Sequence, residues 1–436
     1  MANYQNDPAR RKQARHAKKA KQKRQRRRLV LILAAAVVAA GALGWSFLNR
    51  EEPGETKAPT VQTRPPETTP AETEPPKPQT GTTVIHIAAA GDLNVTDYML
   101  DNAAHENGYD FSNTFLDVAP VLSGADLTLL NFEGNLSGES YGFATGAAPL
   151  ELPKALKAIG VDAVQTANSA AIRQGVSGLV TTLERFEIVG LPTLGTYAST
   201  EDFRQRGGYE IMEVDGIRVA LIAFTKGMDN LGLPAGSEDC VNILYEDYST
   251  DYKKVDTDRI DRVLRNVAEE QPDVTIAMVH WGSEYNEEIS KSQDKIRRQL
   301  QAGGVDIILG THPHLVQKVD YDPIAKTLVA WSLGDFFGDA VMAGTNYSII
   351  LDMEITRDNA TGEVYLSGWD YVPIYTLKPE QSISGGHRVV RIREAMERYE
   401  ADFVGRITEE AYNSMEKALK RIEDRVTPKT EGEQRQ

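Results

Sequence analysis

A single cysteine, Cys240, stands in 436 residues, so no disulfide can close within the chain and no metal site can be built on thiolates. Any metal must be held by His, Asp, Glu, Asn or backbone oxygen. Histidine is also scarce, with seven in all, so two of them in the five-residue stretch Gly310-Thr311-His312-Pro313-His314 stand out. Positive charge is thin over most of the chain. Residues 1–50 carry 13 Lys+Arg and one acid, Asp7, whereas the rest carries 35 Lys+Arg and 62 Asp+Glu, for a net charge of -15 overall. A basic head on an acidic body is not the pattern of a nucleic-acid binder. No internal repeat is present.

Long charge-free runs are absent except for Leu29 to Leu48. About 20 helical residues span a hydrocarbon core of ~30 Å. Residues 1–28 are basic and end in Arg26-Arg27-Arg28, and Trp45 sits near the far end of the run. The positive-inside rule puts 1–28 in the cytoplasm and everything beyond Asn49 outside. The rival reading is a cleaved signal peptide ending near Ala40-Gly41-Ala42. The long basic region and the full-length span favour a retained single-pass anchor in the cell membrane. Residues 49–82 are rich in Pro, Thr and Glu and lack large apolar side chains, which predicts an extended, disordered spacer.

From Thr83 apolar runs alternate with amphipathic segments. Strands are expected near Val84–Ala90, Leu127–Leu130, Val161–Val164, Val219–Phe224, Val274–Val279, Val305–Leu309 and Leu328–Trp331. Helices are expected near Pro153–Ile159, Val176–Glu187, Asp258–Glu270 and Ser292–Ala302, the third with Ile260, Val263, Leu264 and Val267 on one face. This alternation predicts an α/β domain with a largely parallel inner sheet. Strand-like pieces at Ile349–Ile355, Glu363–Leu366 and Tyr371–Tyr375 suggest antiparallel completion. The domain is placed at 83–386, with 387–436 as a charged helical tail.

Residues able to do chemistry follow the apolar runs. Asp92, Glu133, Asn168, His280 and the pair His312 and His314 each come just after a predicted strand. In open α/β sheets ligands bind beyond the carboxyl ends of the strands. Alone, Asp92 reads equally well as a turn residue and His280 as a core histidine. Together they predict a divalent-metal site.

The ordered series Gly91-Asp92, Asn131-Phe132-Glu133, Thr166-Ala167-Asn168, His280-Trp281-Gly282-Ser283-Glu284-Tyr285, Gly310-Thr311-His312-Pro313-His314 and Ser332-Leu333-Gly334-Asp335-Phe336 resembles the poly-gamma-glutamate capsule biosynthesis proteins of the CapA type. The likeness runs from about Val84 to Leu351. It implies a calcineurin-like, metallophosphatase-like αββα sandwich. It implies metal ligation by Asp92, Glu133, His280, His312 and His314, with Asp92 and His280 as catalytic candidates. Asn131, Asn168, Trp281, Glu284 and Asp335 would be neighbours or substrate contacts. One or two Mn, Zn or Fe ions are the implied cofactor. The implied partners are the membrane, a polymer synthase or exporter, and an anionic polymer such as poly-gamma-glutamate. The chain departs from the pattern at Ser169 and Ala170, where the family commonly has an Asn-His pair, and at Asp335, commonly Asn. An alanine cannot serve as a general acid, a loss that typically costs ~10²–10⁴ in rate. An active hydrolase of phosphoester or cell-wall bonds and a non-catalytic scaffold are therefore the competing readings.

Overall fold

The computed structural model describes residues 81–383, 386–401 and 407–426. The basic tail, the anchor and nearly all of the linker lie outside the described residues. Among the described residues no helix is long and apolar enough to cross a membrane.

In chain order the strands are β1 (Thr82–Asn94), β2 (Ala104–His105), β3 (Gly108–Tyr109), β4 (Leu127–Glu133), β5 (Ala163–Gln165), β6 (Thr193–Leu194), β7 (Tyr209–Val214) and β8 (Ile217–Thr225). They continue with β9 (Val274–His280), β10 (Ile307–Thr311), β11 (Val319–Asp322), β12 (Thr327–Ala330), β13 (Asp335–Phe337), β14 (Tyr347–Asp358), β15 (Val364–Leu377) and β16 (Arg388–Arg391). These build two large sheets, as the αββα resemblance implies, where the apolar runs alone suggested one largely parallel inner sheet. The first runs β16-β15-β14-β1-β4-β5-β6, with β13 pairing β1 beyond the end of β14. The second runs β11-β12-β10-β9-β8-β7, parallel at its centre and antiparallel at both edges.

The apolar runs are continuous because both faces of each central strand are buried. Ile85, Ile87 and Ala89 of β1 meet Val219, Leu221 and Ala223 of β8, Ile276 and Met278 of β9, and Ile307 and Leu309 of β10 between the sheets. The alternate residues face outward. Ala88, Ala90, Leu130 and Phe132 pack under Met99, Leu152, Leu156 and Phe186 of helices Asp97–Ala103, Glu151–Ala158 and Gly175–Val189. Ala220, Ile222, Ala277 and Ile308 pack under helices Thr257–Glu270 and Lys291–Ala302. The result is a four-layer αββα arrangement. Helix starts follow the sequence chemistry. Asp256 caps the first of these two helices and Ser290 with Gln293 forms a capping box on the second.

Two expectations change. Glu363–Leu366 and Tyr371–Tyr375 belong to one continuous strand, β15, paired with β14 along its length. The stretch 388–425 is not all helix. Arg388–Arg391 forms β16 on the edge of the first sheet, and helices Ile392–Glu400 and Glu409–Val426 follow. The last helix buries Ala411, Met415, Ala418, Ile422 and Val426 in the inter-sheet core. Its charges occupy the opposite face, so a high charge count hid an amphipathic core helix.

Replacing Ile422 by Ala should cost about 2–5 kcal/mol in urea unfolding, whereas Glu416→Ala on the exposed face should stay within about 0.5 kcal/mol. Equal effects would show that the helix is peripheral. His387 offers a pH test. It lies against the rings of Tyr98 and Phe337, and burial, aided by Lys378, pushes its pKa down to about 4. The unfolded chain then binds the proton more readily, so stability present above about pH 6.5 is lost as pH falls towards 4, by an amount on the order of 3 kcal/mol from this residue. The urea midpoint of His387→Phe should fall less between pH 7 and pH 4 than that of the native chain.

Candidate metal centre

The site lies where the carboxyl ends of β1, β4, β9 and β10 converge. Register places Asp92 beside Asn131 and Asp335, and His280 beside Thr311. Two glycines allow this convergence. A Cβ on Gly91 would stand 1.8 Å from the Gly334 carbonyl oxygen, and one on Gly310 would stand 1.9 Å from that of Trp331. The turn after β10 is unusual backbone. His312 has φ 91° and His314 φ 58°, left-handed values that cost non-glycine residues energy and cluster at functional sites.

Asp92 is fully buried and spans both sheets. Its Oδ1 accepts from Asn131 Nδ2 at 2.5 Å and its Oδ2 accepts from the His312 backbone N–H at 3.0 Å. Asn131 in turn accepts from Asn168 Nδ2 at 3.0 Å, and Asn168 also donates to the Phe132 carbonyl at 2.7 Å. His314 Nδ1 lies 2.7 Å from Asp335 Oδ1 and 3.5 Å from Asp92 Oδ2, and its ring stacks on Tyr285. Asn94 donates to Asp335 Oδ1 at 3.0 Å.

His280 is oriented by a relay. Gln165 Nε2 donates to the Ala167 and Phe224 carbonyls, which turns its Oε1 towards Thr311 Oγ1, 3.4 Å away. With the Thr311 hydroxyl donating there, it accepts from His280 Nδ1–H at 3.1 Å. The His280 Nε2 lone pair is thereby left pointing at Ser169 Oγ, 3.0 Å away, and at Glu133 Oε1, 3.5 Å away. A ligating imidazole is normally held this way by a partner on its second nitrogen.

The charges are strongly coupled. Burial raises the pKa of Asp92. Burial also pushes Glu133 upward, but His280, His314 and His312 together outweigh it and hold the carboxyl well below the usual range. Burial, followed by His280 and Lys226, drives His312 well below its ordinary value. Burial opposes protonation of His314, yet the Asp335 carboxylate holds it well above its ordinary value.

Among the described residues three groups have potential ligand atoms within 4.8 Å of one another: Glu133, His280 and His312; Glu284, His312 and His314; and Asp92, His314 and Asp335. Glu133 Oε2 and His312 Nδ1 are buried without a hydrogen-bond partner. Buried polar atoms are rarely left unsatisfied, and both of these belong to residues of the Glu133, His280 and His312 group, a donor set that fits a divalent cation. The five residues expected from sequence as ligands thus come together. Asp335, expected only as a neighbour, joins a ligand group directly. Glu284 is exposed and lines the cleft above the site. Trp281 is turned away, into the core under the second sheet's helices, with its indole donating to the Trp331 carbonyl at 2.9 Å. Residues missed from sequence are Asn94, Thr311, Gln165 and Lys226. Lys226 could have been found by the rule that found the others, since it directly follows an apolar strand. The Thr311–Gln165 relay had no such signal.

Residues 86–340 match the family described as bacterial capsule synthesis protein PGA_cap, and the chain belongs to that family. It is 26% identical over 284 residues to the PGA biosynthesis protein CapA of Bacillus subtilis, covering 64% of this chain and 70% of that one. It is also 26% identical over 316 residues to the capsule biosynthesis protein CapA of Bacillus anthracis, covering 68% and 71%. Among solved structures, it is similar to the calcineurin-like phosphoesterase YfkN of Bacillus subtilis, with a TM-score of 0.41, 14% identity and coverage of 78% and 98%. A Mycoplasma pneumoniae phosphatase structure gives a TM-score of 0.41 at 14% identity, with coverage of 68% and 95%.

Ser169 caps His280 where an asparagine could add an amide oxygen to the Glu133–His280–His312 group. Ser169→Asn should therefore raise the metal equivalents that elemental analysis finds after loading with Mn or Zn. An unchanged count would mean that this group is limited by something other than residue 169.

Proposed function

We propose that this chain acts in capsule synthesis at the cell surface, held by an N-terminal membrane anchor, and that it handles an anionic polymer such as poly-gamma-glutamate through a divalent-metal centre. The observation that carries this reading is the pair of unpartnered buried atoms, Glu133 Oε2 and His312 Nδ1, within a cluster of acids and imidazoles. Asp92, His314 and Asp335 would hold one ion, and Glu133, His280 and His312 a second where one binds. Mixed carboxylate and imidazole ligands suit Mn, Zn or Fe. A bound ion would supply a fixed positive charge able to coordinate an anionic oxygen and polarise it. This chain carries many more acids than bases outside its first 50 residues, so such an ion would bridge two surfaces that otherwise repel.

The chain's own residues favour binding and positioning over hydrolysis. Ala170 is fully buried and has no proton to give, and the Ser169 hydroxyl lies against His280. Work at a synthase or exporter in the membrane is the role that fits such a site, with the linker as the spacer between anchor and domain.

The test is metal content of the purified protein with and without the double change His312→Ala and His314→Ala. About one or two equivalents in the native chain and none in the variant are expected. An empty native protein after soaking in Mn and Zn sinks the metal reading. Turnover of an aryl phosphate should stay near background, and rapid turnover that the same double change abolishes would favour a hydrolase.

A further inference from the structure

Lys226 directly follows β8 and enters the same edge of the sandwich, but it is not among the ligand groups. Its ammonium donates to the Gly282 carbonyl at 2.8 Å, stands 3.4 Å from His312 Nε2 and lies over the Tyr252 ring, 4.5 Å from its centroid. Among the described residues no carboxylate forms an ion pair with it. Glu284 and Asp229 influence it only from further away. An ammonium has three donors, and one that is half buried with no anionic partner is an incomplete pair.

The open side of Lys226 faces a cavity of about 230 Å³ whose walls include Ser169, Tyr252, Ser283 and His312. A second cleft of about 540 Å³ holds Glu133, His314 and Asp335, and the two share Asp229 and Glu284 along their boundary. An extended ligand crossing that boundary would meet the metal-ligand cluster in one cleft and Lys226 in the other. In the smaller cavity the other charged walls are Asp229 and Glu284, and Arg173 in the larger cleft is paired with Asp229, so Lys226 is the point in the smaller cavity where an anionic group can be accepted. The sequence departure at Ser169 borders this same cavity.

We propose that Lys226 anchors a carboxylate of the polymer beside the metal centre, on the His312 side, and so sets which repeat unit lies over the ligands. This rests on the functional reading above. A compact ammonium suits a single carboxylate oxygen, whereas the forked guanidinium suits bidentate pairing. A hydrogen bond between charged partners is worth about 1.5–3 kcal/mol, which is roughly a tenfold to hundredfold change in affinity.

The experiment titrates a γ-linked glutamate oligomer, and inorganic phosphate in parallel, into the metal-loaded full chain, its Lys226→Met variant and its Lys226→Arg variant. Elemental analysis of all three comes first. Equal metal content is expected, with oligomer binding weakened about tenfold or more in Lys226→Met and by less in Lys226→Arg, which keeps the charge but not the compact ammonium. Metal present but oligomer affinity unchanged within about twofold in Lys226→Met overturns the anchor and leaves the metal reading standing. So does a loss seen for phosphate alone, or a native chain that binds no oligomer. Loss of metal from Lys226→Met also overturns it, because the lysine would then be holding the centre together. A native chain without metal fails the underlying reading before any titration begins.

Discussion

One buried carboxylate ties the molecule together. Asp92 accepts from Asn131 in its own sheet and from the His312 backbone in the other. A carboxylate removed from water is costly unless each oxygen is hydrogen-bonded, and here those bonds come from opposite sheets. A single side chain is therefore satisfied only where the two layers meet at this edge. Asn131 is held by Asn168, which is held by the Phe132 carbonyl. The polar chain thus passes through the first sheet and ends against the residue adjoining Glu133.

The same meeting of layers requires backbones to approach more closely than side chains allow. Gly91 against Gly334 and Gly310 against Trp331 provide that approach, each at the end of a strand that leads into candidate ligand residues. Beyond these contacts the chain enters the left-handed conformation at His312 and His314, which turns one ring towards His280 and the other towards Asp335. Conformational cost is concentrated where the imidazoles must diverge from a single turn to serve different carboxylates.

Much of this was legible in the sequence because buried parallel strands are written as apolar runs and their ends as abrupt polar residues. That grammar located Asp92, Glu133, His280, His312 and His314. Apolar runs alone did not separate one sheet from two, since Val219–Phe224 and Val84–Ala90 look alike although they face each other across the core; the two-sheet αββα arrangement was legible only through the ordered motifs. It also mistook the C-terminal region. Arg388–Arg391 is an edge strand with Arg388, Val389 and Val390 buried, set in a stretch whose composition looks charged, and the apolar face of Glu409–Val426 is diluted by the acids and bases around it. Relations that depend on pairing across the fold, such as Gln165 with Thr311 and His280, leave no local trace in composition or period.

The placement of the last helix has a consequence for the order in which the protein is made. Ile422 and Val426 complete the core between the sheets, and Arg425 reaches the Val316 carbonyl and the Tyr347 hydroxyl beside the His-Pro-His turn. During synthesis every candidate ligand residue emerges well before this helix exists. Until it docks, the part of the inter-sheet core that Ala411, Met415, Ala418, Ile422 and Val426 cover is incomplete. Completion of this core therefore waits for the final stage of synthesis, when residues up to Val426 have arrived.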